Sequence, residues 1–436
     1  MTAPLRRRGP RPLPLHLQLA LMRAVGAMLA LRAIRPPSGM PPCSAASMSW
    51  NSGWPRTPEQ DKWGPNLPWP VSPAGQREIH RIASALAAAG HPPEALQAAV
   101  MRQLARQDRA LIAGIAAYRR HPFARDMPEP PAIWREGGSR LLDYGGDGSP
   151  LLVVPSLVNR AHVLDLLPGH SMLRWLAGRG HRVLLLDWGW PEEVERGFTL
   201  TDYIAGRLER ALGAMPAGRV ALLGYCMGGL LALATALRRP ERLQGLALLA
   251  TPWDFHAGGV DAASRAAALA ALLPGLEPGL EATGALSVDL IQSLFAGIDP
   301  WALAAKFRAF AALPQDSPRA RLFVALEDWL NDGVPLAAPV AREVLAGWYG
   351  RNDPGQGRWR VAGGVVEPAA LRIPAFAAIP RGDRIVPPAS ALALARALPD
   401  AHQEMVAAGH IGMAAGSRAE AALWQPLDAW LQRLGR

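Results

Sequence analysis

Six short apolar runs, each ending near Gly, Pro or Asp, constrain the fold of this chain more than any other feature. They are SPLLVVPS, HRVLLLDWG, RVALLGYC, LQGLALLATPWD, IPAFAAIPRGD and HQEMVAAGH. Most are followed by a segment whose apolar residues have helical spacing. Strands that are apolar throughout are typical of a parallel sheet with both faces covered by helices. The alternation therefore predicts an α/β fold with a mostly parallel sheet.

The 436 residues divide by pattern into a tail, a helical lead-in, a core and an insertion. Residues 1–75 form a basic tail rich in Pro and Trp. Residues 76–130 carry apolar residues every three or four positions, which predicts two lead-in helices. We expect the α/β core to comprise residues 131–255 and 368–436. Residues 256–367 break the strand–helix rhythm and are rich in Leu, Ala and Trp, so they predict a helical cap.

An apolar stretch within the tail, QLALMRAVGAMLALRAI, predicts an amphipathic helix. Arg23 and Arg32 interrupt the stretch, so it is a poor candidate for a transmembrane segment, and no cleavage site marks it as a signal peptide. The apolar residues on one side of this helix are Leu17, Leu21, Val25 and Met28. Three interpretations stay open: the helix lies on an external apolar surface, it docks on the protein's own core, or the tail is partly disordered.

The chain carries 46 basic and 36 acidic residues, a formal net charge of +10. Lys62 and Lys306 are its only lysines, so arginine supplies almost all of the positive charge. Because no helix-turn-helix, finger or RNA-binding motif accompanies these arginines, we expect no nucleic-acid partner. Two cysteines, Cys43 and Cys226, are too few for a disulfide framework or a cysteine-rich zinc site. This cysteine usage indicates a reducing, cytosolic compartment.

The segment Gly224-Tyr225-Cys226-Met227-Gly228 follows an apolar strand and opens an apolar helix. This is the context of a nucleophile elbow, in which flanking glycines permit a sharp turn that exposes a reactive side chain. The helix N-terminus behind the turn stabilises a thiolate. A buried structural cysteine in a glycine-rich turn is the alternative. The context favours Cys226 as a nucleophile and predicts an α/β-hydrolase fold with a helical N-terminal region and a helical cap.

A cysteine nucleophile needs a base, and the predicted fold sets the chain order nucleophile, acid, base. His410 lies in AAGHIG, directly after the last predicted strand, and is the candidate base. Asp383 lies just past the preceding strand and would orient His410. Asp254 in TPWDF is the rival acid, and either aspartate is also a common turn residue. Chain position and a Gly-containing turn favour Asp383.

Acyl transfer at such a turn requires an oxyanion hole, which usually combines the amide after the nucleophile with one from an earlier loop. The first amide is that of Met227. The second comes from VPSLVN, at Leu157 or Val158, and the sequence leaves both open. The sequence has no H-E-x-x-H motif, cysteine pair or carboxylate-rich loop, and its Gly-rich stretches lack the placement of a nucleotide loop. We therefore expect neither a metal nor a cofactor.

Four ordered stretches resemble the poly(3-hydroxyalkanoate) synthases, which are Cys-dependent relatives of the α/β-hydrolases that make bacterial storage polyester. They are VPSLVNRAHVLDLLPGHSMLRWLAGRGHRVLLLDWGWPEE, GYCMGG, TPWDF, and RGDRIVPP with GHIG. ALEDWLND, with Trp329 and Asp332, is similar as well and lies in the insertion. LLLDWGWP and GHIG are most similar to the short synthase class, which works with a helper subunit. The resemblance spans roughly Tyr118 to Leu431.

The resemblance implies an acyltransferase that polymerises (R)-3-hydroxyacyl-CoA and releases CoA. Cys226 would attack the thioester, His410 would take the thiol proton, and Asp383, alone or through His410, would help to activate the next 3-hydroxyl. The resemblance also implies a cytoplasmic protein at a polyester granule surface, with a helper subunit or as a homodimer. Two alternatives stay open: a hydrolase of esters, thioesters or the polymer with the same three residues, and a non-catalytic granule-binding protein.

Overall fold

The computed structural model describes residues 7, 9–34 and 73–434. An eight-stranded sheet has the strand order β1-β2-β4-β3-β5-β6-β7-β8. The strands are β1 (Ala132–Glu136), β2 (Ser139–Asp143), β3 (Pro150–Val154), β4 (Arg182–Asp187), β5 (Val220–Tyr225), β6 (Leu243–Leu249), β7 (Ala375–Pro380) and β8 (His402–Val406). β2 pairs antiparallel with β1 and β4, and the other neighbours pair parallel. The predicted α/β fold is confirmed, and each of the six apolar runs contains one of the strands β3 to β8.

The helices account for most of the other described residues. The α-helices are α1 (Leu13–Ile34), α2 (Pro73–Ala88), α3 (Pro93–Arg120), α4 (Met172–Gly178), α5 (Glu209–Gly213), α6 (Met227–Arg238), α7 (Val260–Ala270), α8 (Leu273–Thr283), α9 (Val288–Ala296), α10 (Pro300–Ala311), α11 (Pro318–Asn331), α12 (Ala338–Arg342), α13 (Pro388–Ala397), α14 (Gly412–Ala415) and α15 (Gln425–Leu434). The π-helical stretches are Asp202–Leu208, Glu343–Gly350 and Glu420–Trp424. The 3-10 helices are Ala161–Leu164, Glu195–Gly197, Pro240–Arg242 and Pro368–Ala370.

Three short strand pairs lie outside the main sheet. They join Asp165–Leu167 to His170–Ser171, Ala285–Leu286 to Leu336–Ala337, and Arg360–Val361 to Gly364–Val365. The second and third pairs fall in the insertion predicted as a cap, where helices predominate.

The chain splits into two compact units. The sheet unit comprises Met1–Arg11, His121–Ile298 and Gln315–Arg436, and the helical unit comprises Pro12–Arg120 and Asp299–Pro314. The helical unit includes α10 because that helix packs on α3. The domain boundaries given above, including the cap at residues 256–367, stay a prediction. The Trp-rich part of the tail lies outside the described residues.

The parallel strands are apolar throughout because helices cover both faces of the sheet. All six residues of β5 are buried, as are all six of β7. Leu222 packs into the apolar cluster on one face and Leu223 into the cluster on the other. Successive strand residues point to opposite faces, so both positions must be apolar when neither face meets water.

The antiparallel hairpin of β1 and β2 is a finding that the apolar runs did not predict. β1 is only half-buried, with exposed residues alternating along it, and Gly137 and Gly138 form the turn. An edge strand that packs on one side needs no continuous apolar run. The strand therefore lacks the pattern by which the other strands were found.

Within the helical unit, Arg23 of α1 is directed toward α3. The Arg23 side chain donates to the Gln107 amide oxygen at 2.7 Å and forms an ion pair with Asp108, and both partners lie on α3. The large apolar residues on the exposed face of α1 include Leu17, Leu21, Met22, Val25 and Met28. The predicted apolar side of this helix is thus solvent-exposed, whereas the Arg23 guanidinium on the other side contacts α3.

By length and composition alone, the segment Leu13–Leu31 of α1 would be able to cross a membrane. This segment includes Arg23 but ends before Arg32. The expectation that this segment does not span a membrane stays a prediction.

A buried ion pair fixes the β1–β2 hairpin to the rest of the sheet unit. The Arg207 guanidinium lies 2.9 Å from the Glu195 carboxylate and also donates to the hydroxyl of Ser139 at 2.9 Å. It donates as well to the backbone carbonyl of Glu136. Arg207 and Glu195 are both buried. The Glu195 carboxylate would therefore be left without a matching charge if Arg207 were removed.

We expect Arg207→Met to lower the free energy of unfolding by about 3–5 kcal/mol, because it leaves a buried, unpaired carboxylate. Urea unfolding followed by circular dichroism measures the change. Arg342→Gln is the matched control, since the Arg342–Glu277 pair is part-exposed and such pairs contribute about 0–1 kcal/mol. Equal losses in the two variants would contradict the assignment of the Arg207 pair as a buried anchor.

Candidate active site

Cys226 occupies the sharp turn between β5 and α6. Its backbone has φ +57° and ψ −128°, a conformation that residues other than glycine rarely adopt. The Cys226 N–H donates to the Leu249 carbonyl oxygen at 2.8 Å, which anchors the turn to the end of β6. The thiol is half-buried and is not part of a disulfide. This is the geometry that the elbow motif predicts.

The glycines around Cys226 have no space for a side chain. A Cβ at Gly224 would overlap the Gly229 backbone, and a Cβ at Gly228 would overlap the carbonyl oxygen of Val154 at the end of β3. The spacing of the motif therefore reflects direct contact between the first turn of α6 and the strands. Because α6 begins at Met227, the positive end of its dipole lies beside the sulfur.

His410 and Asp383 form a close, buried pair. The His410 Nδ1 lies 2.7 Å from the Asp383 Oδ2, and both side chains are almost fully buried. The other carboxylate oxygen, Oδ1, accepts the backbone N–H groups of Ile385 at 2.8 Å and Val386 at 2.9 Å. The carboxylate is thus held in one orientation and in turn orients the imidazole.

The side chain of His410 also interacts electrostatically with that of Cys226. Burial by itself lowers the pKa of His410, but the charge of Cys226 and the hydrogen bond to Asp383 outweigh it and raise this pKa to about 10. The imidazole is therefore well placed to hold the thiol proton. The three predicted residues lie together in the order sulfur, imidazole, carboxylate.

Asp254, the rival acid, has other partners. Its Oδ1 accepts the His256 N–H at 2.9 Å and the Asn352 side-chain amide at 2.8 Å. The same Asn352 accepts the Phe255 N–H at 2.9 Å through its Oδ1. Asp254 therefore stabilises the loop that follows β6, and the imidazole of His410 lies against Asp383 instead.

The two loop amides proposed for the oxyanion hole differ in their partners. The Val158 N–H donates to the Ser156 hydroxyl at 3.0 Å. Within the part of the chain that the structure describes, the Leu157 N–H has no hydrogen-bond partner. The Met227 N–H lies in the first turn of α6, where the helix provides no internal acceptor. The geometry favours Leu157 over Val158 as the second donor.

Two tyrosines near Cys226 were not identified from the sequence. The Tyr225 hydroxyl donates to the His410 carbonyl oxygen at 3.2 Å, and its ring lies 5.2 Å from the imidazole, centroid to centroid. Tyr349 packs its ring on Phe255 at 5.0 Å. Burial, and then the charge of an ionised Cys226, raise the pKa of Tyr349 to about 12. Tyr225 lies inside the elbow motif, whereas no local signal marks Tyr349.

Across residues 7, 9–34 and 73–434, no group of three or more His, Cys, Asp or Glu side chains could hold a metal ion. The site brings together a thiol, an imidazole, a carboxylate and backbone amides. Such a set suits nucleophilic attack on an acyl group.

Comparison with known proteins shows which families and proteins this chain resembles. A family model for the alpha/beta hydrolase fold matches residues 150–275. The poly(3-hydroxyalkanoate) polymerase subunit PhaC of Haloferax mediterranei is 28% identical over 68% of this chain and 62% of its own length. Subunit PhaC of Allochromatium vinosum is 27% identical over 65% of this chain and 80% of its own length. Subunit PhaC of Synechocystis sp. is 28% identical over 65% and 77%.

The sheet order and the elbow at Cys226 are those of the α/β-hydrolase fold, which the family model also matches over residues 150–275. The matches to PhaC proteins confirm the resemblance found in the motifs, and this chain is similar to them at 27–28% identity over about two thirds of its length. It spans somewhat less than two thirds of the Haloferax relative.

The raised pKa of His410 predicts a pH dependence of stability. The protonated imidazole is stabilised in the folded state, so this contribution is fully present below the unfolded pKa of about 6.5. It is lost as the pH rises through about 10. We expect the free energy of unfolding of the wild type to decline between these pH values.

The measurement is urea unfolding across that pH range for the wild type and for His410→Gln. The difference between the two proteins isolates the contribution of His410, since other groups titrate in both. A difference that stays constant with pH, or grows toward high pH, would show that the charged imidazole is not the stabilised form.

Proposed function

We propose that this protein is an acyltransferase that polymerises (R)-3-hydroxyacyl groups from their CoA thioesters into polyester and releases CoA. One observation carries the proposal: a cysteine at an elbow turn, adjacent to the imidazole of His410, which Asp383 orients. The names of the related proteins, poly(3-hydroxyalkanoate) polymerases, indicate the reaction type. Cys226, His410 and Asp383 are the proposed catalytic residues.

In the first step, His410 accepts the Cys226 proton and the sulfur attacks the thioester carbonyl carbon. The amides of Met227 and Leu157 stabilise the developing oxyanion. Collapse of the tetrahedral intermediate breaks the carbon–sulfur bond to CoA, and the CoA thiolate takes the proton from His410 as it leaves. The product is a hydroxyacyl group bound to Cys226 as a thioester, which remains reactive toward a second nucleophile.

In the second step, the 3-hydroxyl of another hydroxyacyl group attacks the carbonyl carbon of the acyl-enzyme. His410, oriented by Asp383, accepts the hydroxyl proton and returns it to the Cys226 sulfur as the carbon–sulfur bond breaks. An ester bond forms and the thiol is regenerated. Each cycle thus lengthens the polymer by one unit and releases one CoA.

Water competes with the 3-hydroxyl, so the site must exclude it. His410 and Asp383 are buried. Their burial supports polymerisation over hydrolysis, because it limits the access of water to the base that would activate it.

We further propose that the protein acts in the cytoplasm at the surface of its polyester product, with a helper subunit or as a homodimer. The related proteins are named polymerase subunits, which supports a partner. The exposed apolar residues of α1 support contact with an apolar surface: Leu17, Leu21, Val25 and Met28.

The decisive variant is Cys226→Ala. With 3-hydroxybutyryl-CoA, the wild type should release free thiol and form insoluble polyester, and both should be lost in Cys226→Ala because no acyl-enzyme can form. Cys43→Ala, which changes the other cysteine of the chain, is the matched control and should retain both activities. Thiol release with free hydroxy acid as the only product would instead identify a hydrolase.

The choice of acid is tested by comparing Asp383→Asn with Asp254→Asn. We expect Asp383→Asn to lower kcat/KM by about 100- to 10,000-fold, since it removes the carboxylate that orients His410. Asp254→Asn should leave kcat/KM within about threefold, because Asp254 bonds only to its own loop and Asn352. Steady-state thiol release measures both variants, and the reverse order of effects would assign the acid to Asp254.

A further inference from the structure

The sheet unit contains a cavity of about 260 Å³ that is distinct from the proposed catalytic site. Among the described residues, its lining includes none of Cys226, Asp383 and His410. A cavity of roughly 150 Å³ can bind a molecule of benzene. The larger cavity in this protein therefore has space for a small organic ligand and not only for water.

One part of the cavity wall is apolar. It consists of Phe123 from the loop after α3, Leu166 from a short strand, and Ala325 and Trp329 from α11. Ala325 and Trp329 are four residues apart, so they lie on the same face of the helix. The Trp329 indole N–H donates to the Arg160 carbonyl oxygen at 2.6 Å, which satisfies the polar edge of the ring. This wall suits the alkyl groups of a ligand.

The charged residues of the lining already have partners within the protein. Each has an ion-pair partner at 3.0 Å or less: Arg125 with Asp165, Asp328 with Arg7, and Asp332 with Arg160. A charged ligand would have to compete with one of these internal partners, and its own charge would lose hydration on entering the cavity. The lining therefore favours a ligand without charge.

Two polar groups of the lining retain hydrogen-bonding capacity. Burial, followed by the positive charges of Arg125 and Arg160, lowers the pKa of His162, so the ring is neutral at pH 7 and carries one donor and one acceptor. Within the part of the chain that the structure describes, this imidazole has no hydrogen-bond partner. Arg125 donates to Asp165 through Nε and Nη2, which leaves its Nη1 without a described partner. Both groups can donate to carbonyl oxygens of a ligand.

We propose that this cavity binds a short stretch of the polyester product, apart from the site where the ester bond forms. A polyester of 3-hydroxyacyl units is uncharged, and its carbonyl oxygens alternate with short alkyl groups. The carbonyl oxygens match the donors of His162 and Arg125, and the alkyl groups match the apolar wall. The proposal rests on the function proposed above, because the proposed reaction supplies this ligand, and it adds a second contact between the protein and its product.

The probe is the methyl ester of the linear 3-hydroxybutyrate dimer, which is an uncharged fragment of the polymer. Calorimetric titration into Cys226→Ala measures its binding without turnover. Adding His162→Phe should weaken binding about three- to tenfold, because the ring shape is kept and one hydrogen bond is lost. Adding Ala325→Phe should abolish detectable binding, because the larger side chain occupies the space of the ligand.

His170→Phe, also in the Cys226→Ala protein, is the matched control. His170 is a half-buried histidine of the sheet unit as well, but its Nδ1 is bonded to the Ala415 carbonyl oxygen at 2.8 Å. It does not line the cavity. This variant should leave the affinity for the dimer ester unchanged. The melting temperatures of all the variants distinguish a loss of binding from a loss of folding.

Binding that weakens in His162→Phe and persists in His170→Phe supports the proposal. Absence of binding to Cys226→Ala, or equal affinity with and without His162→Phe, would overturn the cavity as a polyester site. Tighter binding of the free dimer acid than of its methyl ester would also overturn it, because the ligand would then be an anion. A wild type that releases no thiol from 3-hydroxybutyryl-CoA, although Cys226→Ala binds the ester through His162, would overturn the proposed reaction and leave this site standing.

Discussion

The close packing of α6 on the strands behind it is the constraint on which the whole site depends. A Cβ at Gly229 would overlap the Thr251 hydroxyl, and Gly224 and Gly228 have equally little space. Without side chains at these positions, the helix reaches the sheet and the chain turns at Cys226 with a positive φ. The strain of that turn is tolerated because the buried surroundings permit no alternative.

Arginine side chains bond buried carboxylates at two places in the sheet unit. The Asp165 carboxylate is buried and accepts hydrogen bonds from four side chains: Arg125, Arg174, Tyr144 and Ser171. Arg207 likewise bridges a carboxylate, a hydroxyl and a carbonyl. A planar group with five donors can bond several acceptors at once, whereas the compact ammonium of lysine cannot match that geometry. The use of arginine rather than lysine in this chain therefore matches the way in which these buried carboxylates are bonded.

Local patterns predicted most of the parallel sheet and the candidate residues Cys226, Asp383 and His410. Each depends on a short segment: a continuous apolar run, a glycine-flanked cysteine, or a polar residue just past a strand. The β1–β2 hairpin was missed because its half-exposed edge strand has no continuous apolar run, whereas the position of Tyr349 beside Cys226 depends on a contact between distant segments. A single sequence carries no local signal for such contacts, because many partners satisfy the same composition. The grouping of α10 with α3 was missed for that reason.

The strands that precede Asp383 and His410, the proposed acid and base, join the sheet last in chain order. β7 pairs with β6 only after the whole insertion between them has been made, and β8 then pairs with β7. During synthesis, the segment with Cys226 leaves the ribosome well before Asp383 and His410. Closure of so long a loop is entropically costly and slow. The nascent thiol of Cys226 thus stays without the imidazole of His410 until the last strands dock, so the proposed catalytic residues come together only when the sheet is complete.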